Sequence, residues 1–148
     1  MSFNIRAVQE ADFSRLIALF KEFAIFEKRP DKMKNTVEQM KLEKEYFKAF
    51  VATVDDEIVG FASYFISYHT WSGKCIYMDD LYVTSSVRGA GIGKALLDEV
   101  IDLAKKENCK KVRWQVSDWN KNAQDFYKSI GASIYQGEYV CDLDLGNT

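Results

Sequence analysis

The chain has 148 residues, 47% hydrophobic and 28% charged, with a formal net charge of −2, a globular balance that describes a single domain over residues 1–148, able to bury roughly two-thirds of its unfolded surface. That charge supplies no basic field for nucleic acid, and mild acidity favours cationic substrates. Three widely spaced cysteines, Cys75, Cys109 and Cys141, and a single histidine, His69, argue against a disulfide framework and a zinc set.

No signal-like apolar core opens the chain, and no run approaches the roughly 18 apolar residues that would span a bilayer; a cytoplasmic protein is expected, with no membrane partner. Phe3 to Val8 reads as a first strand. Behind Glu10-Ala11-Asp12, the residues Phe13, Leu16, Ile17, Phe20 and Phe23/Ala24 fall on one side of an amphipathic helix. The pattern weakens around the only proline, in Lys28-Arg29-Pro30-Asp31, and Thr36 is placed to cap a short helix running to Tyr46. Phe50 to Val54 and Ile58 to Tyr68 read as a hairpin with an acidic tip at Asp55-Asp56-Glu57. The next break sets His69 and Trp71 on a loop expected beside the mouth of a site.

A strand follows, with Ile76, Met78, Leu81 and Val83 apolar and Tyr77 and Tyr82 between them, and it runs into Arg88-Gly89-Ala90-Gly91-Ile92-Gly93-Lys94. Asp79 and Asp80 interrupt its apolar character, and strict alternation points them to opposite faces. Ile92, Leu96, Val100 and Leu103 then mark a helix starting near Gly91. Its first N–H groups have no partner within the helix and suit a phosphate. Two familiar phosphate-binding signatures fail on these letters: neither Gly89-x-Gly91 nor Gly91-x-Gly93 is followed by the third glycine of a dinucleotide fingerprint, and Arg88 and Ala95 stand where a P-loop needs glycine and Ser or Thr. Lys110 to Ser117 reads as a further strand. A helix carrying Ala123, Phe126, Tyr127 and Ile130 follows Asn120 and closes at Gly131, and Ser133 to Leu145 reads as two short strands.

The strand, Arg88-x-x-Gly91-x-Gly93 and the helix behind them resemble the pyrophosphate loop of the GNAT acetyltransferase superfamily. About 30 residues later Asn120, Ala123, Tyr127, Gly131 and Ala132 match a second pattern of that family. Within it, Thr70-Trp71-Ser72-Gly73-Lys74 followed by Ile76-Tyr77-Met78-Asp79-Asp80 is similar to the diamine (spermidine/spermine) acetyltransferases and, in its Thr-Trp-x-Gly form, closer to their thialysine-acetylating relatives. The resemblance implies an α/β fold with a mixed, strongly twisted central sheet of six to seven strands, helices on both faces, and acetyl-CoA entering between strands 75–83 and 111–117. It also implies a homodimer, with the C-terminal strands at the interface.

The same resemblance implies roles. The pantetheine of acetyl-CoA would lie along Leu81, Tyr82 and Val83, its pyrophosphate at Arg88, Gly89, Ala90, Gly91, Ile92, Gly93 and Lys94, with further contacts at Asn120, Ala123 and Tyr127. Tyr127 takes the general-acid position. Asp79 stands where the family has a glutamate working through water as base; being one methylene shorter, it leaves open a longer water chain or substrate binding alone. The acceptor would meet Phe26, Glu27, Trp71, Asp79, Asp80, Arg113, Trp114 and Gln115, and Arg113 suits an amino-acid carboxylate better than a second ammonium. The chemistry sets the demand: a lysine-like amine of pKa about 10.4 is neutral in about one molecule in 2,500 at pH 7, a cost of roughly 4.6 kcal/mol. A donor near the Leu81 N–H would serve the oxyanion. The expected function is therefore transfer of acetyl to a small-molecule primary amine by direct attack, without metal. A peptide acetyltransferase and a non-catalytic acyl-CoA-binding module remain as alternatives.

Overall fold

The computed structural model describes residues 2–146, which divide into two compact units, one up to Trp114 and one from Gln115. The first contains β1 (Asn4–Ala7), α1 (Phe13–Phe26), α2 (Val37–Leu42), β2 (Lys48–Val54), β3 (Glu57–His69), β4 (Gly73–Val83), α3 (Ile92–Lys106) and β5 (Val112–Arg113). These five strands form one sheet in chain order, antiparallel throughout except for the parallel pairing of β4 with β5.

The two sides of that sheet are covered by different helices. On one, α1 buries Phe13, Leu16 and Ile17 against Val51, Phe61 and Tyr82, with Phe20 edge-on to Phe61 at 5.1 Å. Each such side chain contributes roughly 1.5–3 kcal/mol on leaving water. Arg6 anchors the entry to α1 through two bonds of 2.8 and 2.9 Å to the Asp12 carboxylate, which also accepts the Gln9 N–H. On the other side α3 buries Ile92, Leu96, Leu97 and Val100. It comes close because Gly60 has no side chain: a Cβ there would lie 2.9 Å from the Tyr82 carbonyl oxygen and 3.4 Å from Leu96.

Several expected elements stand close to their predicted places. Thr36 caps α2 by accepting the Gln39 N–H at 3.1 Å, and the acidic hairpin tip turns through Asp55 and Asp56 at positive φ. The strand count does not. Five strands are present among the described residues, not six to seven, because the stretch 133–145 contains none; the strand expected over 110–117 is also shortened to Val112–Arg113. Tyr135, Tyr139, Val140, Leu143 and Leu145 are exposed; alternating apolar residues form a strand only where a neighbour supplies a ladder and a face to bury. The second unit holds one helix, α4 (Lys121–Ser129), capped by Asn120.

Candidate active site

The site is built on a defect in β4. Ser63 of β3 opposes Asp80 while the next residue, Tyr64, opposes Met78, so Asp79 is one residue too many: a β-bulge. The bulge breaks the alternation on which opposite orientations were expected for the two carboxylates. Asp79 and Asp80 instead line one cavity, of about 410 Å³, under α1. Sequence held the signal for this, since Ile76, Met78, Leu81 and Val83 are spaced two, three and two apart, and the step of three is where the parity slips.

The bulge also divides the pairing of β4. Towards β5 the ladder has only Ile76 with Val112 and Tyr77 with Arg113, and among the described residues no strand pairs with 78–83 on that side. Direction follows from the bonds to either side. Thr84 N–H donates to Val59 O at 2.8 Å and Asp80 N–H to Ser63 Oγ at 3.2 Å, both towards β3. The N–H groups of Leu81 and Val83 therefore face the open edge. The Val83 carbonyl agrees, for it accepts Arg88 Nε at 2.8 Å from that side.

The edge leads to the glycine turn. Gly89 and Gly91 take φ of 87° and 84°, a region that disfavours other residues, and a Cβ at either would meet nothing within 4 Å. That open space is a cradle in front of the N-terminus of α3. Ala95 is the first residue to reach back to it, donating to Gly91 O at 3.0 Å, so the N–H groups of Ile92, Gly93 and Lys94 lie ahead of the ladder. These residues fit a pyrophosphate. A Cβ at Gly93 would lie 3.8 Å from Val83 Cγ2, so the first turn of α3 starts beside the end of the open edge.

Charge in the cavity is uneven. Asp79 touches solvent within a concave wall, and partial loss of water raises its carboxyl above the usual range. Burial first, then the charges of Asp79 and Glu27, push Asp80 up to about 7. Among the described residues neither aspartate makes an ion pair. Behind them the wall is tied to β4: Glu22 accepts Tyr82 OH at 2.7 Å and Thr84 Oγ1 at 2.6 Å, and the Arg88 guanidinium lies over the rings of Phe26 at 4.9 Å and Tyr82 at 5.2 Å. The Thr84 bond, more than the nearby arginines, holds Glu22 below its ordinary pKa.

Of the residues expected at the acceptor, Glu27, Asp79 and Asp80 share this cavity, and Phe26 stands beside it against Tyr82 and Arg88. Trp71 does not line it; exposed in the turn between β3 and β4, it donates its N–H to His69 Nδ1, and Asp79 lies a further six residues, about 20 Å of strand, beyond Gly73. Arg113 lies on β5 opposite Tyr77, with Trp114 next to it. Arg29 and Lys32, which line the cavity, were absent from the sequence expectation. In the second unit Gln115 precedes α4, Asn120 Oδ1 is occupied by the Ala123 N–H at 3.2 Å, and the Tyr127 carbonyl accepts from Ile130 and Ala132.

An open strand edge continued by a glycine cradle, beside a cavity with a carboxylate pair, suits a ligand that carries amides and phosphate next to a cationic one. The chain belongs to the acetyltransferase (GNAT) family, which it matches over residues 13–132; it is an acetyl-CoA-dependent acyltransferase. It is similar to bovine (Bos taurus) thialysine N-epsilon-acetyltransferase, 34% identical over 86% of this chain and 82% of the relative. It also resembles the human (Homo sapiens) spermidine/spermine N(1)-acetyltransferase-like protein 1, 31% identical over 88% of this chain but only 20% of that longer protein. Among solved structures an integron cassette protein from the mobile metagenome of V. cholerae matches with a TM-score of 0.77 and 31% identity, covering 99% of this chain and 95% of its own. Among the described residues no helix is long and apolar enough to cross a membrane.

Proposed function

We propose that residues 1–148 act as one acetyltransferase domain that acetylates the primary amine of a small molecule, either a lysine- or thialysine-like amino acid or a di- or polyamine. The observation that carries this reading is the bulge, which turns two aspartates into one cavity beside an unpaired strand edge. The names of the relatives support the same acceptor class.

Acetyl-CoA supplies an activated acyl carbon and a thiolate leaving group. The chain supplies the rest. Backbone groups of Leu81 and Val83 hold amide-bearing ligand along the open edge, the Leu81 N–H faces the side on which negative charge on the acyl oxygen would develop, and the turn from Arg88 to Lys94 holds phosphate. Asp79 and Asp80 attract the ammonium and take its proton as a coupled pair, and a carboxylate with pKa near 7 is well matched to a base working at neutral pH. Tyr127, through its place in the Asn120 to Ala132 motif, gives a proton to the departing sulfur, a modest demand for a thiol of pKa about 8.5. Nitrogen–carbon bond formation and carbon–sulfur cleavage then convert ammonium and thioester into amide, free thiol and one proton released to solvent.

The test is release of free CoA from acetyl-CoA with thialysine, lysine, spermidine, putrescine and short peptides, run beside Tyr127→Phe. Turnover of a small amine, slowed roughly 10²-fold or more in the variant, is the expected outcome for a general acid. Turnover of peptides alone would replace the acceptor class, and an unimpaired variant would remove Tyr127 from the mechanism.

A further inference from the structure

The cavity is not lined by carboxylates alone. Two cations reach it from the segment after α1, which also carries Glu27 and where Lys28 turns the backbone at φ 64° and Pro30 to Lys32 form a single tight turn. Arg29 N–H bonds back to Ala24 O at 2.8 Å and Lys32 N–H to Arg29 O at 3.0 Å, so this segment is fastened to the end of α1. Arg29, Lys32 and Asn35 all line the cavity. Among the described residues neither cation makes an ion pair, although Glu27, Asp79 and Asp80 line the same cavity. Five charged side chains surround a space of about 410 Å³, within the usual range of roughly 300–1,000 Å³ for small-molecule sites.

We infer that Arg29 and Lys32 select an acceptor bearing a carboxylate, so that the substrate is an amino acid with a side-chain amine and not a di- or polyamine. This rests on the reading above that the cavity holds the acceptor. An amino acid of lysine length places its reacting ammonium against Asp79 and Asp80 and its carboxylate against the guanidinium fork of Arg29, with Lys32 as a second charge. A diamine brings a second ammonium towards the same two cations, where it meets like charges and leaves them uncompensated. Arg113, the carboxylate partner expected from sequence, lies on β5 and does not line the cavity.

Lysine and cadaverine differ by the carboxylate alone, and the ratio of their kcat/KM values is the readout. The wild type is expected to prefer lysine, and Arg29→Ala to lower the ratio roughly 10- to 100-fold, the range of a lost charge-assisted contact. Arg29→Lys should restore part of it and Lys32→Ala lower it less. Both positions are exposed, and thermal unfolding checks that the variants fold. Equal use of lysine and cadaverine, or a ratio untouched by Arg29→Ala, overturns the inference while leaving the acetyltransferase reading in place. If neither amine is turned over, the acetyltransferase reading of the cavity fails on its own account, and calorimetric binding of lysine against cadaverine decides the charge preference directly.

Discussion

The two halves of β4 are built from one strand and used in opposite ways. Up to Tyr77 it pairs with β3, gains β5 as a second neighbour at Ile76 and Tyr77, and buries Cys75 and Ile76. From Met78 to Val83 it pairs only with β3, carries the bulge, and keeps two carboxylates. In the first half the backbone hydrogen-bonding capacity is spent inside the protein, while in the second it is kept for a ligand. The lesson is that the boundary between scaffold and site falls inside a single strand, at one inserted residue.

Breaking the second half should cost activity first. Asp80→Asn is expected to lower kcat/KM for the amine by about 10²–10⁴-fold and to flatten the rise of activity towards pH 7. The same variant sharpens the comparison through stability. With Asp80 at about 7 in the folded protein and about 3.9 unfolded, the native state binds more protons between those values, so stability falls as pH rises from about 4 to 7. Asp80→Asn should remove that slope in urea titrations at pH 5 and pH 8 and stabilise the protein most at the higher pH. An unchanged slope would show that Asp80 titrates normally. Ile76→Ala, in the paired half, is expected to cost about 2–5 kcal/mol of stability with KM for acetyl-CoA unchanged; a raised KM would mean the halves are not separable. The smallest effect is expected from Tyr82→Phe, which loses the hydroxyl bond to Glu22 and about 1–2 kcal/mol in denaturant unfolding.

The readable parts of the chain were those whose signal is local. Helical periodicity marked α1 and α3, Thr36 announced α2, and Gly89 and Gly91 announced the cradle. Asp79 and Asp80 were conspicuous because charge in an apolar strand demands a reason. Their shared cavity does not follow from strict alternation through 76–83, although the three-residue step from Met78 to Leu81 carries the slip. Arg29 and Lys32 gave no signal at all: a charged loop reads as solvated surface until the fold shows which cavity it borders. The strands expected over 133–145 failed for the complementary reason, since pairing is a property of two segments and alternation of only one.

The open edge of β4 has a consequence for solubility. A row of unpaired N–H and C=O groups is a template for a strand of another copy, and so a route to aggregation. Here the unpaired run is short, kinked by the bulge at one end and closed at the other where Arg88 Nε occupies the Val83 carbonyl. The guanidinium thus acts as a stopper, leaving the edge long enough for a linear amide ligand and too short to recruit a neighbouring sheet.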